Sequence, residues 1–243
     1  SNVAALGPLR ILEVIKNFNK KIKFYQASTS EMYGNVSAPQ SEKTPFSPNS
    51  PYAIAKLYAY WITKSYRDAY NIFASNGILF NHESPLRGET FVTKKITQFV
   101  AKEYNNVNKT KILYLGNLDA KRDWGHAKDY VEAIWKILQH KKADDFVIST
   151  GHSTSVRKFV ELCFKKIGMT IAWKGKGINE IGFDKKTGKI LIKINKKYIR
   201  PNEVHHLKGN SNKARKLLKW KPKIKIQNLI KEMIDYDLKI NHQ

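Results

Sequence analysis

The sequence predicts an α/β protein with a partly parallel sheet, and three observations carry this prediction. Short apolar runs at residues 22–27 and 73–80 have the length and composition of buried strands. The segment between them, residues 51–70, opens with helix-start signals. Polar side chains follow both runs directly, at the strand ends where open α/β sheets carry their chemistry. A chain of 243 residues can bury one substantial core and a smaller lobe.

The end of the first predicted strand carries hydroxyl groups and a carboxylate. Residues 28–31 read Ser, Thr, Ser and Glu, and they would leave the carboxyl end of the strand. A hydroxyl there can donate a hydrogen bond to a substrate oxygen, and Glu31 adds a proton-transfer group. This stretch is therefore a candidate for part of an active site.

The predicted helix at residue 50 starts with Ser50 as its N-cap and Pro51 in the first turn. Tyr52 and Lys56 then lie on one face, one turn apart. Ionising a Tyr at neutral pH needs a pKa shift of about 3 units, or about 4 kcal/mol. A cation at about 4–5 Å supplies a similar amount at an effective dielectric of about 20. The simpler alternative is one aromatic core contact and one solvated Lys. The packing side of this helix is expected to carry Leu57, Tyr60 and Trp61.

The formal charge of +24 is unusual and would ordinarily indicate nucleic-acid or anionic-membrane binding. The Lys residues are spread along the chain, however, and the densest runs, 16–23 and 185–197, alternate with apolar residues as solvated faces do.

Cys163, the single cysteine, lies in an apolar helical pattern and is expected in a core, in a reducing compartment. No apolar run approaches the ~18–20 residues of a membrane span. We therefore expect a cytoplasmic protein with no specific nucleic-acid or membrane partner.

Four blocks of residues together resemble a known enzyme family. They are residues 25–34 (YQASTSEMYG), 81–85 (NHESP), 122–125 (RDWG) and 200–204 (RPNEV). With Tyr52 and Lys56, these blocks are similar in order and spacing to the GDP-mannose 4,6-dehydratase family of the extended short-chain dehydrogenase/reductase superfamily. The resemblance covers essentially the whole chain.

The resemblance implies a partial NAD(P)-binding, Rossmann-type parallel sheet that lacks its first strands, with a smaller α+β substrate lobe. Residues 1–150 would be the C-terminal part of the dinucleotide-binding domain, with substrate-contacting segments at 84–125. Residues 151–243 would be mostly the sugar-nucleotide lobe and closing helices. The family's glycine-rich phosphate turn is not found here, because residues 175–180 have Glu at the third glycine position and a predicted hairpin turn, 182–189, follows them. We therefore expect an amino-terminally truncated piece of a longer enzyme, inactive alone because most cofactor contacts would be missing.

The resemblance also implies a reaction, the conversion of GDP-mannose to GDP-4-dehydro-6-deoxy-mannose with NADP as cofactor. Tyr52, assisted by Lys56, would remove the proton of the C4 hydroxyl. Glu31 would remove the C5 proton and assist loss of the C6 hydroxyl, while Thr29 would bind the C4 oxygen. Ser30, where related glucose-nucleotide dehydratases have Asp, favours the mannose branch.

The remaining implied contacts belong to cofactor and substrate. The residues implied in cofactor binding are Tyr52, Lys56, His82 and Arg87. Those implied in binding GDP-mannose are Asn81, Lys95, Arg122, Arg200 and Glu203. Lys94 is a competing choice for Lys95 on the diphosphate, and no metal is expected.

Two alternatives remain open from the sequence. A nucleotide-sugar 4-epimerase or 4-ketoreductase of the same superfamily needs the Tyr and Lys but no C5 base, so Glu31 argues against it. A non-catalytic basic binding module would need clustered cations and exposed aromatic residues. A homo-oligomer, dimer or tetramer, is expected from the family.

Overall fold

The computed structural model describes residues 2–105 and 111–240, which form two compact units that interleave along the chain. The first unit comprises residues 1–82, 122–153 and 204–223, and the second comprises 83–121, 154–203 and 224–243. The helices are α1 (Gly7–Phe18), α2 (Pro51–Tyr70), α3 (Val92–Tyr104), α4 (Ala127–Gln139), α5 (Val156–Lys166), α6 (Asn212–Leu217) and α7 (Ile226–Ile240). The strands are β1 (Phe24–Thr29), β2 (Ala74–Leu79), β3 (Asn81–Glu83), β4 (Leu113–Leu115), β5 (Lys121–Arg122), β6 (Trp124–His126), β7 (Asp145–Ile148), β8 (Thr154–Ser155), β9 (Ile171–Lys174), β10 (Ile181–Asp184) and β11 (Ile190–Ile194).

The first unit is built on a parallel sheet of three strands in the order β1-β2-β7. Strand β1 pairs with β2 from Phe24 opposite Ala74 to Thr29 opposite Leu79. All six residues of the central strand β2 are buried, because helices cover both of its faces. The predicted α/β class with a parallel sheet is confirmed.

Two groups of apolar side chains hold helices against this sheet. Around Tyr130, Phe146 and Trp220, helices α4 and α6 pack on β2 and β7. Around Leu12 and Tyr66, helices α1 and α2 pack together and against β2. Helices therefore cover the parallel sheet, and polar residues follow its strands at the carboxyl-terminal edge.

A buried polar network joins α2 to the sheet. Asp145 accepts two hydrogen bonds from Arg67, at 2.8 and 3.0 Å, one from Asn76 at 2.9 Å and one from Tyr60 at 3.0 Å. Arg67 also donates to the carbonyl oxygen of Ala74. Burial alone would raise the pKa of Asp145, but the hydrogen bonds and the charge of Arg67 outweigh it and lower the pKa.

The second unit contains a mixed sheet in the order β4-β11-β10-β9 and the helices α3, α5 and α7. Strands β10 and β11 form an antiparallel hairpin, as predicted for residues 182–189, and Asp184 accepts hydrogen bonds from the Thr187 hydroxyl and backbone in its turn. Cys163 is fully buried on α5, which confirms its place in a core, and burial raises the pKa of its thiol. The assignment of residues 1–150 and 151–243 to cofactor and sugar-nucleotide domains stays a prediction.

Two sequence-based expectations need correction. Strand β1 begins at Phe24 and extends to Thr29, so the first predicted strand is shifted toward the polar motif. Trp61, expected on the packing side of α2, is 52% exposed, while Tyr60 beside it is buried. Residues three and four apart share a helix face but adjacent residues do not, so the two aromatic rings cannot both face the sheet.

Candidate active site

The strand-end motif places its side chains alternately inside and outside the first unit. Ser28 and Ser30 are buried, and Ser28 donates a hydrogen bond to Asn76 at 3.1 Å. Thr29 and Glu31 are partly exposed. The Thr29 hydroxyl accepts a hydrogen bond from the backbone N–H of Glu31 at 3.2 Å and so caps the 3₁₀ turn that follows β1. Thr29 and Glu31 therefore supply the accessible groups, and the two serines support the structure.

A glycine fixes the exit from this turn. Gly34 has a φ of +60°, and a Cβ there would lie 1.8 Å from the carbonyl oxygen of Ser47. The backbone N–H of Ser47 donates to the carbonyl oxygen of Met32 at 2.9 Å. The loop that leads to α2 is thus fastened closely to the turn that carries Glu31.

The start of α2 is the predicted one. The Ser50 hydroxyl accepts a hydrogen bond from the N–H of Ala53 at 3.1 Å, and Pro51 stands in the first turn. Tyr52 is 52% exposed. The cap fixes the first turn of α2, which positions Tyr52 at the accessible end of the helix.

Lys56 connects this helix to β1. Its Nζ atom donates a hydrogen bond to the carbonyl oxygen of Ala27 at 2.9 Å and lies 5.9 Å from the centre of the Tyr52 ring. Burial lowers the pKa of Lys56. The alternative of one core aromatic and one solvated Lys does not describe this arrangement, because Tyr52 is accessible and Lys56 is held against the strand that ends at Thr29.

Asn81 and His82 follow β2 in the first unit. The Nδ1 atom of His82 lies 2.9 Å from the carbonyl oxygen of Phe80, and its ring stacks on Tyr130 with centres 4.9 Å apart. The Oδ1 atom of Asn81 is buried, and it has no hydrogen-bond partner within residues 2–105 and 111–240. A buried oxygen of this kind can accept a hydrogen bond from a ligand.

Lys94 and Lys95 differ sharply although they are neighbours in α3. Lys94 is 4% exposed, forms an ion pair with Asp237 and donates to the carbonyl oxygen of Pro85 at 2.7 Å. Lys95 is partly exposed and donates to the carbonyl oxygen of Tyr114 at 2.6 Å. Lys94 therefore has a structural role, and only Lys95 is accessible for a phosphate.

The other predicted contacts vary in exposure. Arg87 is partly exposed and pairs with the buried Glu83. Arg122 is 9% exposed, whereas Arg200 is exposed and Glu203 is partly exposed. A buried guanidinium keeps a fixed geometry, so these arginines have different freedom to bind a diphosphate.

Asp123 is a buried residue to which the sequence patterns gave no role of its own. Its carboxylate accepts hydrogen bonds from the backbone and hydroxyl of Thr150, at 2.9 and 2.6 Å, and from the backbones of Gly151 and Gly209, at 2.9 and 3.2 Å. Burial raises the pKa of Asp123 despite these bonds. The available sequence signal was a carboxylate directly after Arg122, a predicted ligand-binding residue. In the first unit, Asp123 joins its own loop to the loops that contain Thr150–Gly151 and Gly209.

Solved structures share this fold. RMD from Pseudomonas aeruginosa complexed with NADPH superposes with a TM-score of 0.82 at 20% identity, over 98% of this chain and 74% of that chain. The dTDP-glucose 4,6-dehydratase of Bacillus anthracis in complex with NAD gives 0.80 at 22% identity, over 98% and 68%. The chain therefore shares the Rossmann-type α/β fold of these proteins.

Sequence comparison identifies the family to which the chain belongs. The GDP-mannose 4,6 dehydratase family profile matches residues 1–233. The GDP-mannose 4,6 dehydratase of Dictyostelium discoideum is 57% identical over 240 residues, covering 98% of this chain and 67% of the relative. That of Homo sapiens is 54% identical over 243 residues, covering 99% and 65%. The chain belongs to the GDP-mannose 4,6-dehydratase family, and it spans about two thirds of the length of these curated relatives.

Two further findings bear on the expected partners. Within residues 2–105 and 111–240, no helix combines the length and apolar character needed to cross a bilayer. The same residues contain no group of three or more His, Cys, Asp or Glu side chains arranged to hold a metal ion. The expected homo-oligomer and cytoplasmic location stay predictions.

Proposed function

We propose that this chain carries the proton-transfer groups of an enzyme that converts GDP-mannose to GDP-4-dehydro-6-deoxy-mannose and water, with NADP as cofactor. The observation that carries the proposal is the position of Lys56, whose Nζ atom donates to the carbonyl oxygen of Ala27 in β1 and lies 5.9 Å from the centre of the Tyr52 ring. Family membership supports the choice of substrate. The full activity is proposed for a protein that has the whole length of the relatives.

The residues present fit a nicotinamide dinucleotide in two respects. Lys56 is a cation beside an accessible Tyr, and Arg87 has a partly exposed guanidinium that suits a phosphate. NADP, when bound, would accept a hydride from C4 of the sugar and later return it to C6. The choice of NADP over NAD is supported by the RMD structure with NADPH, and His82 is a further proposed cofactor contact.

Tyr52 is the proposed base for the C4 hydroxyl. In its protonated form, Lys56 would favour the phenolate by Coulombic attraction. The Thr29 hydroxyl, partly exposed after β1, would hydrogen-bond the C4 oxygen. Loss of the hydroxyl proton to Tyr52, together with loss of the C4 hydride to the bound cofactor, would leave a C4 ketone, which makes the neighbouring C5–H acidic.

Glu31 is the proposed base and acid for loss of water. It would take the C5 proton and protonate the C6 hydroxyl as that group leaves, so that the sugar loses one water. Hydride return to C6 and a proton on C5 then complete a redox-neutral conversion. The proposed substrate contacts are Asn81, Lys95, Arg122, Arg200 and Glu203.

The test is an assay of purified protein that has the whole length of the curated relatives. NADP⁺ and GDP-mannose should yield a 4-keto-6-deoxy product, identified by mass spectrometry as loss of one water. Glu31→Gln should still oxidise C4, measured as formation of NADPH, while water loss falls by about 10²–10⁴-fold, the usual contribution of a proton-transfer group.

Glu132→Gln is the matched control, because Glu132 is a carboxylate of α4 that pairs with Lys136 and Lys223. It should dehydrate GDP-mannose at the wild-type rate. Unchanged water loss in Glu31→Gln would contradict the role of Glu31. A product with inverted C4 and no loss of water would indicate the epimerase alternative.

A further inference from the structure

The loop before α3, residues 83–91, holds the guanidinium of Arg87 in one orientation. The Nε atom of Arg87 lies 3.0 Å from Oε2 of Glu83, and the centre of the guanidinium lies 3.5 Å from the centre of the Phe91 ring. The backbone N–H of Arg87 donates to the carbonyl oxygen of Ser84 at 3.0 Å, which closes a turn. The side chain is thus held by the charge of Glu83 at one edge, as an ion pair without a hydrogen bond from Nε, and by an aromatic face beneath it.

Glu83 is itself held firmly. Its side chain is 2% exposed, and the Thr93 hydroxyl donates to its Oε2 atom at 2.7 Å. Burial raises the pKa of Glu83, and the charge of Arg87 and the hydrogen bond from Thr93 act in the opposite direction. From the α3 side, Lys94 fastens the carbonyl oxygen of Pro85 in the same loop.

The two Nη groups at the outer end of Arg87 are not held by Glu83, which pairs with Nε. Its side chain is 23% exposed, and within residues 2–105 and 111–240 it contacts Glu83 and Phe91, with no hydrogen bond from either Nη atom or from the buried Nε atom. The two Nη groups form the planar fork that binds phosphate oxygens in pairs. A buried ion pair contributes little net stability, whereas a preorganised side chain improves binding.

We propose that Glu83, Phe91 and Thr93 are positioning residues that orient the Nη groups of Arg87 toward a phosphate group of the dinucleotide cofactor. This inference rests on the proposed function, which assigns Arg87 to the cofactor. It adds the residues that determine how well Arg87 performs that task, and it places the affinity for the phosphate partly in a carboxylate that does not itself touch the cofactor.

The test measures the Kd for NADP⁺ by calorimetry, on the same full-length protein, without any turnover. Glu83→Gln and Thr93→Val should each weaken NADP⁺ binding by about tenfold, the low end of what loss of a supporting contact costs a ligating side chain. Thr93→Ser keeps the hydroxyl and should restore wild-type affinity. In an Arg87→Ala background, Glu83→Gln should have no further effect, because Glu83 acts through Arg87.

Glu103→Gln is the matched control, since Glu103 is a buried carboxylate of α3 paired with Lys189. It should lower the Tm and leave the Kd for NADP⁺ unchanged. If Glu83→Gln weakens binding equally with and without Arg87, or if Thr93→Val binds as the wild type does, the positioning role is overturned while the proposed function stands. If the wild-type protein binds neither NADP⁺ nor NAD⁺, the cofactor assignment and this inference both fail.

Discussion

The two ends of α2 use similar residue types for different purposes. At its start, Tyr52 is 52% exposed and Lys56 makes one hydrogen bond, to a strand carbonyl. Near its end, Tyr60 and Arg67 are enclosed and share the carboxylate of Asp145. Each end thus has a phenol and a cation, but only the far end adds a buried carboxylate.

The difference separates the part of α2 that is bonded to the sheet from the part that carries the proposed proton-transfer groups. A buried cation that is fully hydrogen-bonded to a carboxylate fixes α2 on the sheet, and it cannot serve a substrate. A phenol that stays accessible beside a lysine costs some favourable burial and keeps a proton-transfer group available. Changes at the far end should therefore affect stability, and changes at the near end should affect rate.

The largest effect is expected from Asp145→Ala. Removing the carboxylate leaves the 12% exposed side chain of Arg67 with the exposed Asp68, at 3.5 Å, as its remaining counterion. Breaking a buried ion pair typically costs about 3–5 kcal/mol in the free energy of unfolding. Urea unfolding monitored by circular dichroism measures the loss. Asp68→Ala on the same helix is the comparison, because Asp68 is exposed, pairs with Lys64 and reaches the same Arg67 only at 3.5 Å, and it should cost at most about 1 kcal/mol. Equal losses for the two variants would contradict the role given to the network.

Next comes Tyr52→Phe, which tests the near end. Loss of the phenol should lower kcat by about 10³-fold, within the usual range for acid–base catalysis. The free energy of unfolding should change by no more than about 0.5 kcal/mol, because the side chain is largely exposed. Tyr58→Phe removes another accessible phenol of α2 and should keep full activity. A stability loss without a rate loss in Tyr52→Phe would reverse the comparison.

Much of this near end could be predicted from the sequence because its signals are local. Ser50, Pro51 and the four-residue spacing of Tyr52 and Lys56 act within one helical turn, and the structure has the predicted helix start. The side of α2 that packs was predicted less well, since Trp61 is exposed. Which of two adjacent aromatic residues faces the sheet depends on the rotation of the helix, and that is set by distant partners such as Asp145.

The far end and the second unit depended on contacts that no local pattern reveals. Asp145 lies 78 positions from Arg67 in the chain, and Asp237 lies 143 positions from Lys94. Adjacent Lys94 and Lys95 have the same helix propensity, so only the partner of each could distinguish a structural ammonium from an accessible one. The roles of the predicted site residues in catalysis and binding remain predictions.

A smaller effect is expected in the pH dependence of stability. The folded-state pKa of Asp145 is lowered, so its contribution is present above the unfolded-state pKa of about 3.9 and is lost as the pH falls through the folded value. The gap in unfolding free energy between the wild-type protein and Asp145→Asn should therefore shrink as the pH falls below about 4. The raised pKa of Asp123 is the same in both proteins, so its contribution cancels in the difference between their unfolding free energies. A constant gap from pH 6 to pH 2 would contradict the lowered pKa.

The smallest effect concerns Ser50, the N-cap residue at the start of α2, next to Tyr52. Ser50→Ala should cost about 1 kcal/mol of stability, because the N–H of Ala53 loses its acceptor. Ser155→Ala removes the equivalent cap of α5, where the Ser155 hydroxyl accepts from Lys158 at 3.1 Å, and should cost the same. Only Ser50→Ala should also reduce kcat, since fraying of the first turn of α2 displaces Tyr52 from Lys56, whereas Ser50→Thr keeps the acceptor and should retain both properties. If the two caps changed stability and rate alike, the first turn of α2 would have no special role in positioning the phenol.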